Sequence, residues 1–258
     1  MAGLRSSDAG SPALWFNPPD EPGGRRALTR DRVVAEALAI IAADGARALS
    51  MRALAVRLGV VPGALYRHVR GKEQLNDLVL DAVLGEVDCR ADSSAPWTAQ
   101  VAALAHRLRA VLESRPGTAA MLKTRDPLSP TSLDLAEAFL APLLKAGLPC
   151  REAAGAFRLI YDYTLGFALA DPTSPAEQRL SDASTREQLH AFFRALPADR
   201  FPALSACGLH VWDGHRDQRF TAGLEALLRG IEAYQPLPWQ LTIADGCRPV
   251  SRGSPAGA

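Results

Sequence analysis

An all-α fold in two parts is what this sequence predicts: a short three-helix head, then a longer antiparallel helical bundle. Three observations predict it. Apolar residues make up 48% of the 258-residue chain and aromatic ones only 6%. The apolar share therefore leans on Ala and Leu, which favour helix-on-helix packing over the Val-, Ile- and aromatic-rich strands of a sheet. Apolar positions also recur at three- and four-residue spacing, the period of one helix face. Charge, finally, is unevenly spread. Residues 25–72 hold ten basic side chains (Arg25, Arg26, Arg30, Arg32, Arg47, Arg52, Arg57, Arg67, Arg70, Lys72) against three acids, although the whole chain carries only +1. A compact basic segment beside an acidic body implies a polyanion-binding head on a separate domain.

Residues 1–28 are rich in Gly, Pro and Ser without periodicity, which predicts a flexible arm. Thr29 can cap a first helix carrying Val33, Val34, Ala37, Leu38, Ile40 and Ile41 on one face, ended by Asp44-Gly45. Ser50 can cap a second, which Gly59 stops by taking the left-handed conformation. Pro62 then fits the first turn of a third helix, expected to carry Leu65, Tyr66, Arg67, His68 and Val69. A fourth, Leu75–Val87, connects this head to the body, so residues 29–88 form one unit. The acidic loop 88–96 is the expected boundary of a second domain, 97–233, with helices at 97–113, 130–146, 150–170, 185–196 and 216–233. The 150–170 helix is apolar almost all round, which predicts burial on several faces. Residues 171–184 read as a loop and 234–258 as a loosely ordered tail.

The 51–70 window meets the physical criteria of a helix-turn-helix: two short helices, a turn containing Gly59, and a small core of Leu54, Leu58, Val60, Leu65 and Val69. Gly63, Ala64, Arg67 and His68 point outward from the second helix, with Arg70 and Lys72 just beyond it. Such a helix can enter a DNA major groove while its basic neighbours hold phosphates; the competing reading is a hairpin with solvated arginines.

The wording of this segment decides between the two. Asp44-Gly45, Leu49-Ser50-Met51-Arg52, Leu54-Ala55, Leu58-Gly59-Val60 and LYRHVRGKEQL over Leu65–Leu75 closely resemble the DNA-binding head of the TetR family of transcriptional regulators, over roughly residues 28–85. RFTAGLEALLRGIEA (Arg219–Ala233) resembles the last helix of its tetracycline-repressor branch. The resemblance implies a one-component repressor, a homodimer on an inverted-repeat operator of double-stranded DNA, released by a small-molecule effector. It also implies that Arg52 meets a phosphate or base edge, that Gly63 and Ala64 approach bases, and that Tyr66, Arg67, His68 and Lys72 line backbone and groove. From the residues alone, Tyr66 packing on the first helix, His68 as a helix-end partner, and Arg25 and Arg26 as plain tail stay open beside a minor-groove role for the arm. The reading helix is poor in polar groups: Ala64 can touch a thymine methyl but Gly63 reads nothing, so Arg52, Arg67 and DNA shape must carry sequence choice.

In the body, His106, Met121, Phe139, Tyr161, Asp162, Tyr163, Thr164 and Phe167 are polar or aromatic members of apolar helices, the mixture that lines a ligand pocket and equally the mixture of a hydrogen-bonded core. The apolar surface of the 150–170 and 216–233 helices exceeds what one chain covers, which predicts a dimer. No metal-ligand spacing, nucleophile elbow or phosphate loop is present, so neither an enzyme nor a cofactor is expected. Cys89, Cys150, Cys207 and Cys247 form no close pair and are expected as four reduced thiols. Without an apolar run of about 18 to 20 residues or a signal core, a cytoplasmic protein without membrane contact is expected.

Overall fold

The structure, a computed structural model, describes residues 28–125, 128–170, 182–208, 210 and 215–233. All but Leu28 of the expected arm, most of the 171–184 loop and the 234–258 tail lie outside the described residues. The described chain is helical without strands: α1 (Arg30–Asp44), a 3-10 turn (Ala46–Ala48), α2 (Met51–Leu58), α3 (Pro62–Leu65), α4 (Lys72–Leu84), α5 (Trp97–Glu113), α6 (Thr118–Thr124), α7 (Pro130–Lys145), α8 (Cys150–Leu169), α9 (Ala183–Arg194), α10 (Pro202–Cys207) and α11 (Arg216–Ala233). No helix among them is long and apolar enough to cross a membrane.

Local chemistry sets the head. Thr29 Oγ1 accepts from the Arg32 amide at 3.2 Å and Ser50 Oγ from the Ala53 amide at 3.1 Å, each satisfying a donor that a helix start leaves open. Gly59 adopts φ 68°, ψ 32°, the left-handed geometry that closes α2 and aims the chain into α3. The third helix is shorter than expected: α3 ends at Leu65 and residues 66–68 form turns. Leu65 and Val69 are nonetheless both buried, and the Val69 amide still donates to the Leu65 carbonyl at 2.9 Å. The head's core is Val33, Ala37, Ile41, Leu54, Leu58, Leu65, Val69, Leu75 and Val79 with their neighbours, and Val60 packs half-buried against it.

α4 belongs to two cores. Leu75, Leu78 and Val79 enter the head cluster, while Leu80, Val83 and Leu84, with Val87 just past the end of the helix, enter the cluster of the body. Polar contacts fasten the same helix to the body. Arg125 at the end of α6 bonds Asp77 at 2.9 Å and pairs with Glu73; Thr131 Oγ1 on α7 donates to the Asp81 carbonyl at 2.9 Å; Arg115 pairs with Glu86 at 2.8 Å. A second junction lies at the α1–α2 turn, where the Ala46 amide donates to the Pro116 carbonyl at 3.1 Å. A Cβ on Gly117 would stand 2.8 Å from the Ala46 Cβ, so only glycine allows this approach.

In the body, α5, α7 and α8 pack around Leu108, Leu112, Leu135, Phe139, Leu143 and Ile160, with α11 adding Phe220, Leu224 and Leu228. α8 corrects one expectation. Its buried face is Ala153, Ala156, Ile160, Tyr161, Thr164 and Leu165, but Leu159 (46% exposed) and Leu169 face outward, because a single chain covers only one side. α9 and α10 pack on each other and bury no residue. Cys89 and Cys207 are free, Cys247 lies outside the described residues, and Cys150 is disulfide-bonded. This last point corrects the expectation of four separate thiols, because spacing along the chain alone does not report whether a cysteine is bonded.

Candidate nucleic-acid interface and effector site

The head leaves most of its expected contact residues exposed. Arg52 is exposed on the first turn of α2; Gly63 lies exposed on α3 and Ala64 half-exposed beside it; Arg67 and Lys72 are exposed, Lys72 as the first residue of α4. Tyr66 is 55% exposed, which favours an outward role over packing on α1. His68 is half-buried. Arg30, Tyr66, Arg67, His68, Arg70 and Gln74 border a small polar cleft of about 110 Å³. Gln74, 9% exposed, accepts from the Arg70 amide and so fixes the loop leading into α4. Arg30 and Gln74 were not among the residues predicted from sequence: Arg30 joins the face only because α1 starts beside the 66–70 turn, and Gln74 works through a local bond. Arg57, also basic, is tied to Glu36 at 2.9 Å.

The body divides its candidates. His106, Tyr163 and Phe167 meet around Phe220 of α11. Ring centroids lie 5.0 Å (His106–Phe220), 5.4 Å (Tyr163–Phe220) and 5.2 Å (Phe167–Phe220) apart. Tyr163 Oη donates to the Phe220 carbonyl at 3.0 Å, and His106 Nε2 stands 3.5 Å from Thr221 Oγ1. Phe139 and Tyr161 instead flank Phe157, at 5.6 and 5.7 Å. Thr164 is buried with its hydroxyl donated to the Ile160 carbonyl at 2.8 Å, and Met121 packs half-buried against the core from α6. Asp162 does not join them: it is exposed and paired with Arg158 one turn back, because its position on α8 points away from the core.

Sequence reasoning missed the charged centre of this cluster. Arg109 on α5 is 5% exposed; it bonds Glu113 at 2.9 Å, pairs with Asp217, and lays its guanidinium 4.6 Å over the Phe220 ring. Arg216 pairs with Glu113 at 3.0 Å and reaches the Phe167 carbonyl. Burial works against the charge on Arg109, but the bonds to Glu113 and Asp217 outweigh it and raise its pKa. His106 is lowered, by burial first and then by Arg109, with Asp217 opposing, so it is neutral at pH 7. Burial raises Tyr163. A signal was available: Arg109 lies four residues after Ala105 on the apolar stripe of α5. Among the described residues no group of three or more His, Cys, Asp or Glu could hold a metal ion.

A helix-turn-helix whose outer face is basic, joined by a shared helix to a bundle with an aromatic, charged interior, defines a DNA-binding transcription regulator that carries its own sensing domain. Comparison with known proteins names the lineage. Residues 33–78 match the model for bacterial regulatory proteins of the tetR family, and residues 91–235 the tetracycline repressor-like C-terminal domain. An HTH-type transcriptional regulator of Saccharopolyspora erythraea is 34% identical over 88% of this chain and 95% of its own. The HTH-type transcriptional repressor DrrR1 of Streptomyces coeruleorubidus is 33% identical over 81% of this chain and 79% of its own. The solved structure of ActR of Streptomyces coelicolor in complex with actinorhodin aligns with TM-score 0.73 at 32% identity, over 80% of this chain and 96% of that one. The chain belongs to the TetR family of transcriptional regulators.

Proposed function

We propose that this regulator represses transcription as a homodimer on an inverted-repeat operator, and that a small, largely apolar molecule held in the bundle releases it. Arg52, Gly63, Ala64, Tyr66, Arg67, His68 and Lys72 carry the DNA contacts, with Arg52 and Arg67 at base edges or phosphates and Lys72 on phosphate. His106, Tyr163 and Phe167 form the first wall of the effector site; Met121, Phe139, Tyr161 and Thr164 support it from the adjoining core. The protein acts by binding and not by turnover.

One observation carries this reading: α4 is built into both cores and is held to α6 and α7 by Arg125 and Thr131. Movement of the body therefore moves the head. In a dimer the spacing of the two reading helices must match successive major grooves, about 34–36 Å apart or a multiple. A ligand that prefers a body with another α4 position lowers operator affinity by its differential affinity for the two states, typically about 1–3 kcal/mol. ActR in complex with actinorhodin supports a small molecule as the effector of such a body.

The test is selection of bound fragments from a random DNA pool, followed by a small-molecule screen for release. Enrichment of a two-fold symmetric site and release by a compound that operator DNA in turn weakens, by an equal factor, are expected. A bound compound indifferent to operator would not be the effector, and a selected site without symmetry would defeat the dimeric reading.

A further inference from the structure

Arg109 is out of keeping with its surroundings. It lies on the inner side of α5 at 5% exposure, above the fully buried Phe220 ring, where an unpaired guanidinium is costly. Its two carboxylate partners are unlike. Glu113 sits one turn along the same helix with its side chain 21% exposed, and it is shared with Arg216, so it is built into the cluster. Asp217 comes from the first turn of α11 and its side chain is 84% exposed. Two guanidinium groups thus face one enclosed carboxylate, and the second negative charge is supplied by a side chain standing mostly in water. His106, which touches the same Phe220 ring, is neutral and adds no competing charge. An exposed acid is a weak partner for an arginine because water screens it, whereas the planar guanidinium fork suits any carboxylate that reaches it in better geometry.

We propose that Arg109 recognises the effector, and that the effector is an aromatic acid whose carboxylate replaces Asp217. This rests on the small-molecule-released repressor described above and names the chemical class its body takes. The exchange substitutes one carboxylate for another, so no buried charge is left unpaired, and Asp217 turns into water, where its side chain already lies. The aromatic body of the ligand meets the half-buried edges of His106 and Phe167 beside Phe220. Selection follows from charge: a neutral isostere has nothing with which to displace Asp217. Ligand binding also opens the Arg109–Asp217 pair, which ties α5 to the start of α11.

The test uses the full chain with 2-naphthoate and its neutral isostere 2-naphthamide as probes, measured by calorimetry on the parent protein, Asp217→Asn and Arg109→Gln. The parent should bind the acid at least about tenfold more tightly than the amide. Asp217→Asn removes the competing carboxylate, so its affinity for 2-naphthoate should rise about fivefold while that for 2-naphthamide stays constant. Arg109→Gln should erase the preference for the acid. The residue exchanged in Asp217→Asn is exposed, so that arm stands even if Arg109→Gln does not fold, which a melting curve reports. Equal affinity of the parent for acid and amide, failure of 2-naphthoate to bind, or weaker acid binding by Asp217→Asn overturns the inference; the last is what a purely structural Asp217 would give. Operator binding by the unliganded parent, measured alongside, is independent of all three results and tests the repressor reading on its own.

Discussion

Tyr163 of α8 occupies the space that Gly223 of α11 leaves open. A Cβ on Gly223 would overlap the phenol oxygen and lie 2.9 Å from Cζ. The ring cannot swing aside freely, because it is stacked on Phe220 and packed on Phe167 at 5.0 Å, and its hydroxyl is bonded to the Phe220 carbonyl. α8 and α11 are therefore held at a separation that one hydrogen atom at position 223 permits.

The consequence is measurable. Gly223→Ala gains up to about 1 kcal/mol of helix propensity, but overpacking against a fixed ring costs about 1–3 kcal/mol, so a net loss of about 1 kcal/mol is expected. Tyr163→Leu in the same chain should remove the clash, making the double variant more stable than the sum of the two single effects in chemical denaturation. Simple additivity would mean that the two residues do not press on each other.

On the head, Lys72→Ala is expected to weaken operator binding by a similar factor on every sequence and to reduce the salt slope by about one counterion. Arg67→Ala should weaken binding as well, and any change of sequence preference would assign it to a base edge. Fluorescence anisotropy across a salt series reads both; an unchanged slope for Lys72→Ala removes it from the phosphate contacts.

Arg125 holds Glu73 and Asp77 of α4 from the end of α6. Arg125→Met keeps much of the aliphatic stem and removes the pairing. Operator affinity without ligand should change little, while the factor by which an effector lowers it should shrink, by up to the about 1–3 kcal/mol typical of such coupling. Titration of operator with and without effector checks this; full coupling in Arg125→Met would move the transmission to Thr131 or to the Ala46–Pro116 junction.

How much of this was legible in the sequence depends on the range of the interaction. The caps at Thr29 and Ser50, the stop at Gly59 and the start at Pro62 are local, and each stands where the sequence puts it. α6, seven residues between Gly117 and Arg125, was not anticipated, because two turns are too short to show a period and its position is set by contacts with α4 and α8. Aromatic and polar type alone marks His106, Tyr163 and Phe167, which the fold gathers around Phe220, and equally Asp162, which points outward; it does not mark Arg109 and Asp217, whose meeting spans 108 positions of chain.

His106 should leave a mark on stability against pH. Its folded pKa lies below the ordinary 6.5, chiefly through burial and then through Arg109, with Asp217 opposing. Between 6.5 and the lowered value the unfolded chain binds more protons than the folded one, so stability rises with pH there and falls as the solution is acidified. Melting temperatures between about pH 7 and pH 5 should drop further for the parent than for His106→Asn, which does not titrate. Parallel profiles for the two proteins would show that folding leaves the imidazole unperturbed.

The open face of α8 and α11 gives the test of assembly. Leu148, Gly155, Leu159, Ala226, Leu227 and Ile231 border a cleft of about 460 Å³, largely apolar and open to one side. Gly155 and Gly230 have no atom near the space a Cβ would take, so another helix can approach the backbone closely at both. Glu152 Oε2 is buried here without a hydrogen-bond partner among the described residues, a state that costs about 1–3 kcal/mol unless a second chain supplies a donor. Two copies related by a two-fold axis would set Leu159 of each into the cleft of the other, in a four-helix arrangement of α8 and α11. Leu159→Glu places a charge in that contact while leaving the core of its own chain untouched, since the residue is 46% exposed. The variant should sediment as a folded monomer at micromolar concentrations where the parent is a dimer, and its operator affinity should collapse to that of a single half-site. A Leu159→Glu protein that remains dimeric with full operator binding would put the two-fold contact on another face.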